Sequence, residues 1–110
     1  MQITQQTDGS VKQIVLTGSL DGKTAPELQD KVLPLQAGET HVIMDLSEVG
    51  FMSSAGLRVL LLVYRQASAH GGKVVLAGVS EEIREVMEMT GFMDFFSFAA
   101  TPAEARQMVA

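Results

Sequence analysis

The chain has 110 residues, of which 46% are hydrophobic and 19% are charged, so we expect residues 1–110 to form a single domain with a hydrophobic core. Its formal net charge of −5 disfavours nonspecific binding to nucleic acids, which requires a basic surface. Cysteine is absent, which excludes disulfides, thiolate metal sites and thiol catalysis.

The sequence also argues against membrane insertion. Its longest uninterrupted apolar run, residues 59–64, has six residues, whereas a bilayer-spanning helix needs about 20. The first residues form neither a basic segment nor an apolar segment of the kind found in export signals. We therefore expect a cytoplasmic protein.

Turn signals divide the first part of the chain. Asp8-Gly9-Ser10 separates two short runs and predicts a β-hairpin whose second strand covers residues 11–16. Thr24 and Glu27 have the spacing of a capping box, which predicts a helix that begins at Ala25. Pro34 should kink or end this helix near Leu33.

Apolar runs and helical patterns alternate in the middle of the chain. Residues 41–46 and 74–77 are short, mostly apolar runs that include β-branched residues, typical of buried strands in a parallel sheet. The pattern of residues 57–67 is helical. A further helix follows Ser80 as its N-cap and ends at Gly91, with Ile83, Val86 and Met87 on one face.

The last elements are a strand and a helix. Phe95-Phe96-Ser97-Phe98 predicts a short strand, and a second capping box at Thr101 and Glu104 precedes a helix over residues 102–109. The resulting order is β-β-α-β-α-β-α-β-α. It predicts an α/β domain with a four- to five-stranded, mixed and mostly parallel sheet and with helices mainly on one face.

The segment around Ser53 and Ser54 is the most informative for function. The other predicted helices have glutamate in their first turn, which complements the positive end of the helix dipole: Glu27, Glu81 with Glu82, and Glu104. After Ser54 come Ala55, Gly56, Leu57 and Arg58, with no carboxylate. This helix start is therefore open to an anion, which predicts a site for phosphorylation. Alternatively, one of the serines is simply a helix N-cap.

The helix that follows these serines is unusually apolar. Arg58 and Arg65 form one narrow polar stripe, and residues 57–64 are otherwise hydrophobic. Two interpretations remain open. The helix is wedged between the sheet and neighbouring helices, or part of it forms a patch that faces a partner.

Catalysis and metal binding receive little support from the sequence. A serine nucleophile needs a general base, but His41 and His70 lie near the ends of other predicted elements, and the G-x-S-x-G pattern is absent. Two histidines without a carboxylate pair form a weak metal site. We expect no enzymatic activity, no catalytic residue, no metal and no cofactor.

Several segments resemble the STAS family, the small domains of anti-sigma factor antagonists that also occur in sulfate transporters. Gly18-Ser19-Leu20-Asp21 and Thr24-Ala25-Pro26-Glu27-Leu28 resemble the family's opening motif and helix start, and Val42-Ile43-Met44-Asp45-Leu46 resembles its central strand. Phe51-Met52-Ser53-Ser54-Ala55-Gly56-Leu57 is similar to its D-S-[ST]-G-L phosphorylation loop. Ser53 replaces the usual aspartate, and Ala55 replaces the serine or threonine before the glycine.

The resemblance implies a partner switch. The unphosphorylated protein would bind an anti-sigma factor that is a serine kinase of the GHKL type, and would thereby release a sigma factor. Phosphorylation would block binding, and a PP2C-type phosphatase would restore it. Ser54 is the expected phosphorylation site and Ser53 the second choice. Expected partner-binding residues are Asp21, Thr24, Met52, Ser53, Ser54, Ala55, Gly56, Leu57 and Arg58.

Asp21 matches an acidic residue of the family near this loop, which implies a role in kinase docking or in setting the local charge; it is equally well explained as a turn residue before Gly22. We expect a monomer or weak dimer. The alternative function is a constitutive STAS scaffold or accessory subunit of a transporter, for example in lipid transport, without a phosphorylation switch.

Overall fold

The computed structural model describes residues 1–32 and 39–109. Their elements are β1 (Gln2–Asp8), β2 (Val11–Leu20), α1 (Ala25–Val32), β3 (His41–Met52), α2 (Ser54–Ala69), β4 (Val74–Ala77), α3 (Glu81–Thr90), a 3-10 turn (Met93–Phe95), β5 (Ser97–Ala99) and α4 (Pro102–Val109). Leu33 and Pro34, where we predicted the end of the first helix, lie outside the described residues.

The strands form one five-stranded sheet in the order β1-β2-β3-β4-β5. The β1–β2 hairpin is antiparallel, and the other three pairs are parallel. The predicted α/β class, element order and mixed, mostly parallel sheet are therefore confirmed.

Two hydrophobic cores cover the two faces of the sheet, because side chains along a strand alternate between faces. Val42 and Met44 of β3 belong to the larger core, whereas Ile43 between them belongs to the smaller one. Helices α1, α2 and α3 pack on the larger core, and α4 covers the opposite face through Ala105. The prediction that helices lie mainly on one face is confirmed, with α4 as the exception.

Helix α2 is wedged into the larger core, which favours the first of the two interpretations of its apolar sequence. Leu57, Leu60 and Val63 are buried, and Leu61 and Leu62 are half-buried. Tyr64 packs against the rings of Phe95 and Phe96, with centroid distances of 5.2 and 6.0 Å.

Several boundaries differ from the predictions. Strand β3 continues to Met52, well beyond residue 46, and α2 begins at Ser54. Phe95 belongs to the 3-10 turn, so β5 begins only at Ser97. Val86, which we placed on the core face of α3, is 40% exposed, and Ile83 and Met87 form that face without it.

Helix ends follow the local signals in most places. The Ser80 hydroxyl accepts a hydrogen bond from the Ile83 amide, and Gly91 ends α3 in the left-handed conformation at φ 77°. The Thr101 hydroxyl caps α4 by accepting from the Glu104 amide. The Glu104 carboxylate, however, accepts from the Ala100 amide, one residue before the position that a capping box requires.

A buried ion pair lies near the beginning of the parallel strands. Lys12 lies on the same face of β2 as Ile14, and its ammonium group lies 3.8 Å from the Glu39 carboxylate. The ammonium also donates to the Val32 carbonyl at 3.4 Å, and the Thr7 hydroxyl donates to Glu39. Lys12 and Glu39 are 4% and 2% exposed, so each charge depends on these polar contacts.

None of the helices that the structure describes is long and apolar enough to cross a bilayer.

Replacing Lys12 by methionine should strongly destabilise the domain, because the Glu39 carboxylate would remain buried without the ammonium. We expect Lys12→Met to lower the free energy of unfolding by about 3 kcal/mol. Lys31→Met removes the exposed pair with Glu27 on α1 and should cost less than about 1 kcal/mol. Urea denaturation followed by circular dichroism measures both values, and equal small losses would contradict this prediction.

Candidate functional site

The loops that follow β2 and β3 lie side by side. The two strands are parallel neighbours, and their last residues, Leu20 and Met52, are paired in register. The Ser53 amide donates to the Leu20 carbonyl at 2.9 Å, which extends the pairing into the loops. The sheet therefore brings the predicted residues Asp21 and Thr24 next to the serine loop.

Asp21 organises the loop between β2 and α1. Its carboxylate accepts from the amides of Lys23 and Thr24 at 2.9 and 3.2 Å. The Thr24 hydroxyl accepts from the Asp21 amide and donates to the Ser19 carbonyl. The two backbone hydrogen bonds lower the pKa of the Asp21 carboxyl below its ordinary value, because they stabilise its charged form.

This network replaces the capping box that we predicted at Thr24 and Glu27. The Thr24 hydroxyl is engaged by Asp21 and Ser19, and the Glu27 carboxylate pairs with Lys31 one turn further along α1, at 3.3 Å. The capping-box prediction is therefore wrong, although the helix does begin at Ala25 as expected.

The two adjacent serines have different environments. Ser53 is the N-cap residue of α2, with φ −91° and ψ 176°, but its side chain makes no capping hydrogen bond. Its hydroxyl is buried and has no hydrogen-bond partner among the described residues. Ser54, the first helical residue, is exposed. Ser54 is thus the accessible serine, and the interpretation of Ser53 as an ordinary side-chain cap fails.

The serines at the N-caps of α2 and α3 allow a direct comparison. Ser80→Ala removes a capping hydrogen bond and should cost about 1 kcal/mol of unfolding free energy. Ser53→Ala removes a hydroxyl that caps nothing and should not destabilise the domain, because burying an unpartnered hydroxyl itself costs about 1–3 kcal/mol. Denaturant unfolding of both variants measures the difference. A loss at Ser53 as large as that at Ser80 would show that Ser53 does cap the helix.

Three of the predicted partner-binding residues are buried, and they pack beneath the surface of the serine loop. Met52 and Leu57 are 6% and 3% exposed. Gly56 lies against the preceding loop: a Cβ atom there would lie 2.7 Å from Leu20 Cγ and 2.9 Å from Met52 Cγ. Glycine at this position therefore lets the start of α2 approach the end of β2.

Adding a methyl group at Gly56 should disturb this contact. Alanine normally stabilises a helix interior relative to glycine by about 1 kcal/mol, but overpacking should reverse the sign and lower the unfolding free energy by about 1–3 kcal/mol. A Cβ atom at Gly50 would meet nothing within 4 Å, so Gly50→Ala is the matched control and should change stability by less than about 0.5 kcal/mol. Denaturant unfolding measures both variants, and stabilisation by Gly56→Ala would contradict the close packing.

A shallow groove of about 330 Å³ separates the starts of α1 and α2. Its walls are Gly22, Ala25, Pro26 and Gln29 on one side and Ser54, Ala55, Arg58 and Val59 on the other. We did not expect Pro26 and Gln29 at the site, because the pattern of one helix does not reveal which other helix start lies opposite. Ser54 and Arg58 are one turn apart on α2 and share this groove.

The groove has a positive electrostatic character on its α2 side. The first turn of α2 contains no acidic residue, and the first three helical amides have no acceptor within the helix. Arg58 is exposed and forms no salt bridge with any residue in the described ranges. Amide groups, the helix dipole and this guanidinium together favour an anion beside Ser54.

The histidines lie far from the serines. His41 begins β3, at the opposite end of the strand from Ser53, and its Nδ1 accepts from the Lys73 amide. His70 follows the last residue of α2, about 24 Å along the helix axis from Ser54. Within residues 1–32 and 39–109, no group of three histidine or acidic side chains is arranged to hold a metal ion. Neither histidine can act as a general base for these serines.

Comparison with known proteins identifies the family. Residues 2–105 match the sequence pattern of the STAS domain. The chain belongs to the STAS domain family. This STAS domain is 33% identical over 100 residues to BtrV of Bordetella bronchiseptica, a candidate anti-sigma factor antagonist, with 90% of this chain and 86% of that protein covered. It is 28% identical over 88 residues to the anti-sigma-B factor antagonist of Bacillus subtilis, covering 80% and 81% of the two chains.

Solved structures share the fold. A Thermotoga maritima protein superposes on this STAS domain with a TM-score of 0.89, at 21% identity, over 97% of this chain and 93% of the other. The phosphorylated form of the Bacillus cell fate determinant SpoIIAA gives 0.79, at 24% identity, over 99% and 100%. A sulfate transporter family protein of Wolinella succinogenes also gives 0.79, at 16% identity, over 91% and 84%.

The resemblance to the STAS family is therefore confirmed. STAS domains of the anti-sigma factor antagonist type are regulators without enzymatic activity, in agreement with the expectation that this chain is not an enzyme.

Proposed function

We propose that this STAS domain is an anti-sigma factor antagonist controlled by phosphorylation of Ser54. In its unphosphorylated form it binds an anti-sigma factor that is also a serine kinase of the GHKL type, which frees the sigma factor. The kinase phosphorylates Ser54 and so ends the interaction, and a PP2C-type phosphatase restores it. Relatives that are named anti-sigma factor antagonists support the antagonist role.

The observation that carries the proposal is the position of Ser54. It is exposed at the first position of a helix whose first turn lacks a carboxylate. A kinase can reach its hydroxyl, whereas the Ser53 hydroxyl is buried. This difference supports Ser54 over Ser53 as the modified residue. Ala55, which stands where some family members carry the modified side chain, has no hydroxyl.

Phosphorylation should change the surface while the fold is retained. A phosphate on Ser54 adds about −1.5 to −2 charges, and the free amides and the dipole of α2 favour it within the monomer. Arg58, one turn away in the same groove, is positioned to pair with it. In the unphosphorylated protein the same guanidinium is available to a carboxylate of the partner.

The phosphate therefore opposes binding in two ways. It introduces charges that the interface would have to bury, and it engages the arginine that the partner would otherwise contact. A loss of several kcal/mol from the first effect alone corresponds to more than a hundredfold weaker binding, since each 1.4 kcal/mol is a factor of about ten. In this proposal Asp21, whose carboxylate also holds its own turn through the Lys23 and Thr24 amides, docks the kinase.

Phosphopeptide mapping of the protein isolated from its own cells tests the modification. We expect phosphate on Ser54 in the wild type and in Ser53→Ala, and none in Ser54→Ala. Phosphate that persists in Ser54→Ala would contradict the assignment.

The effect on binding is measured with the anti-sigma kinase of the same organism by calorimetry. Ser54→Asp should weaken binding at least about tenfold and change the unfolding free energy by less than about 1 kcal/mol. Ser68→Asp, on an exposed serine of the same helix, should leave binding unchanged. A large loss of stability in Ser54→Asp would instead indicate a structural role for the serine.

The alternative is a constitutive scaffold or transporter accessory subunit, for example in lipid transport. The fold shared with the Wolinella succinogenes protein is compatible with it, but a subunit without a phosphorylation switch does not require an exposed serine at the start of α2. Recovery of a transporter ATPase without any kinase in a pull-down, with no phosphate on Ser54, would favour the alternative.

A further inference from the structure

Strand β1 forms one edge of the sheet, and its outer side pairs with no other strand within residues 1–32 and 39–109. It is seven residues long, whereas β5 at the other edge has three. Ile3 is half-buried against the larger core, and the other side chains of β1 are exposed. The strand therefore contributes little to the core, but it presents a long row of backbone groups along its outer side.

The features that normally protect a sheet edge from pairing are missing from β1. Lysine, proline, β-bulges and short length are the usual devices. The segment Gln2–Asp8 contains no lysine, arginine or proline, and its register with β2 is unbroken from one end to the other. Its one charged residue, Asp8, is paired with Arg106 of α4. The outer side of β1 is thus a regular edge with no charged side chain over residues 2–7.

The hydrogen bonds of the sheet determine which β1 residues face outward. The Ser10 carbonyl accepts from the Thr40 and His41 amides, so Ser10 directs its backbone toward β3 and the next residue, Val11, toward β1. Val11 is the register partner of Asp8, and Asp8 therefore faces β2. The direction alternates along a strand. The residues of β1 that direct their N–H and C=O groups outward are Ile3, Gln5 and Thr7.

The order of these residues makes β1 complementary to a second copy of itself. Gln5 is the middle residue of the strand, and its backbone faces outward. Two antiparallel β1 strands related by a two-fold axis at Gln5 therefore overlap along their whole length. Gln5 then lies opposite Gln5 of the second copy, and Ile3 lies opposite Thr7. Asp8 lies opposite Gln2, so no like charges face each other across the pair.

We propose that the outer edge of β1 is a self-association site, which joins the five-stranded sheets of two copies of the domain into one continuous sheet. The outward backbone groups supply about six hydrogen bonds between the copies. One strand from each copy is far less than the roughly 20–30 residues a side of a standard interface, so the dimer is weak and forms at high protein concentration. The edge contains no residue of the groove at Ser54, so phosphorylation leaves it unchanged.

Sedimentation equilibrium over a range of protein concentrations tests self-association. We expect a monomer–dimer equilibrium for the wild type at concentrations up to about 1 mM. Gln5→Lys places two ammonium groups opposite each other at the two-fold axis and should weaken the dimer about fivefold or more. Ser68→Lys makes the same change of charge on an exposed serine of α2 and should change the dimer less than about twofold. A wild type that stays monomeric throughout, or equal losses in the two variants, would overturn the proposal.

Single cysteines test the register of the pair, since the chain has no cysteine of its own. In Gln5→Cys the two Cα atoms lie about 5.5 Å apart across the axis, which suits a disulfide. In Gln2→Cys the two positions lie about 20 Å apart. Mild oxidation should therefore give a covalent dimer of Gln5→Cys and very little of Gln2→Cys, as measured by non-reducing electrophoresis. Equal cross-linking of both variants, or none of either, would refute symmetric pairing at Gln5, and this result does not require Gln5→Lys to fold.

Discussion

The site depends on the contact between Gly56 and the end of β2. Because a Cβ atom at Gly56 would lie within 3 Å of Leu20 and Met52 side-chain atoms, glycine lets α2 start directly against the neighbouring strand without displacing these side chains. The amide of Ser53 then reaches the Leu20 carbonyl, and the loop after β2 comes to lie beside Ser54. This close approach is one of the two constraints that set the arrangement of Asp21, Ser54 and Arg58.

The parallel pairing of β2 and β3 is the second constraint that positions the site. In a parallel sheet the carboxyl ends of neighbouring strands lie at the same edge, and ligands and partners commonly bind there. Strands β2 and β3 end together, at Leu20 and Met52, so two loops that are well separated in sequence form one surface. The distribution of glutamate also distinguishes this surface. Helices α1, α3 and α4 carry an acidic residue in the first turn, and α2 does not.

Much of the fold could be predicted from the sequence because local signals and tertiary packing agree. The β4 run is apolar and completely buried, and Ser80 and Gly91 bound α3 as expected. Disagreement arises where a residue has two possible partners. Thr24 fits a capping box, but Asp21 lies three residues earlier and engages both its amide and its hydroxyl.

Exposure was harder to predict than secondary structure. Strand β4 pairs with β3 only as far as Asp45, so the rest of β3 extends beyond β4, and Phe51 in this part of the strand is 54% exposed. Nothing in the alternation of β3 itself reveals where a neighbouring strand stops. Likewise, helical spacing alone groups Val86 with Ile83 and Met87. The core is wide enough to bury only Ile83 and Met87, and Val86 remains 40% exposed. The Ser53 hydroxyl has no hydrogen-bond partner within the described part of the chain. This could not be predicted from its N-cap position, which by itself favours a capping hydrogen bond.

The buried pair of Lys12 and Glu39 lies near the amino end of β2, whereas the serine loop follows the carboxyl end of β3. Lys12 and Leu20 lie near opposite ends of β2, roughly 25 Å apart at ordinary strand geometry. Effects of substitutions at such distances generally add without coupling. Natural substitutions at the Lys12–Glu39 pair can therefore change the stability of the domain while the geometry of the serine loop is preserved, and substitutions in the loop can leave the pair intact.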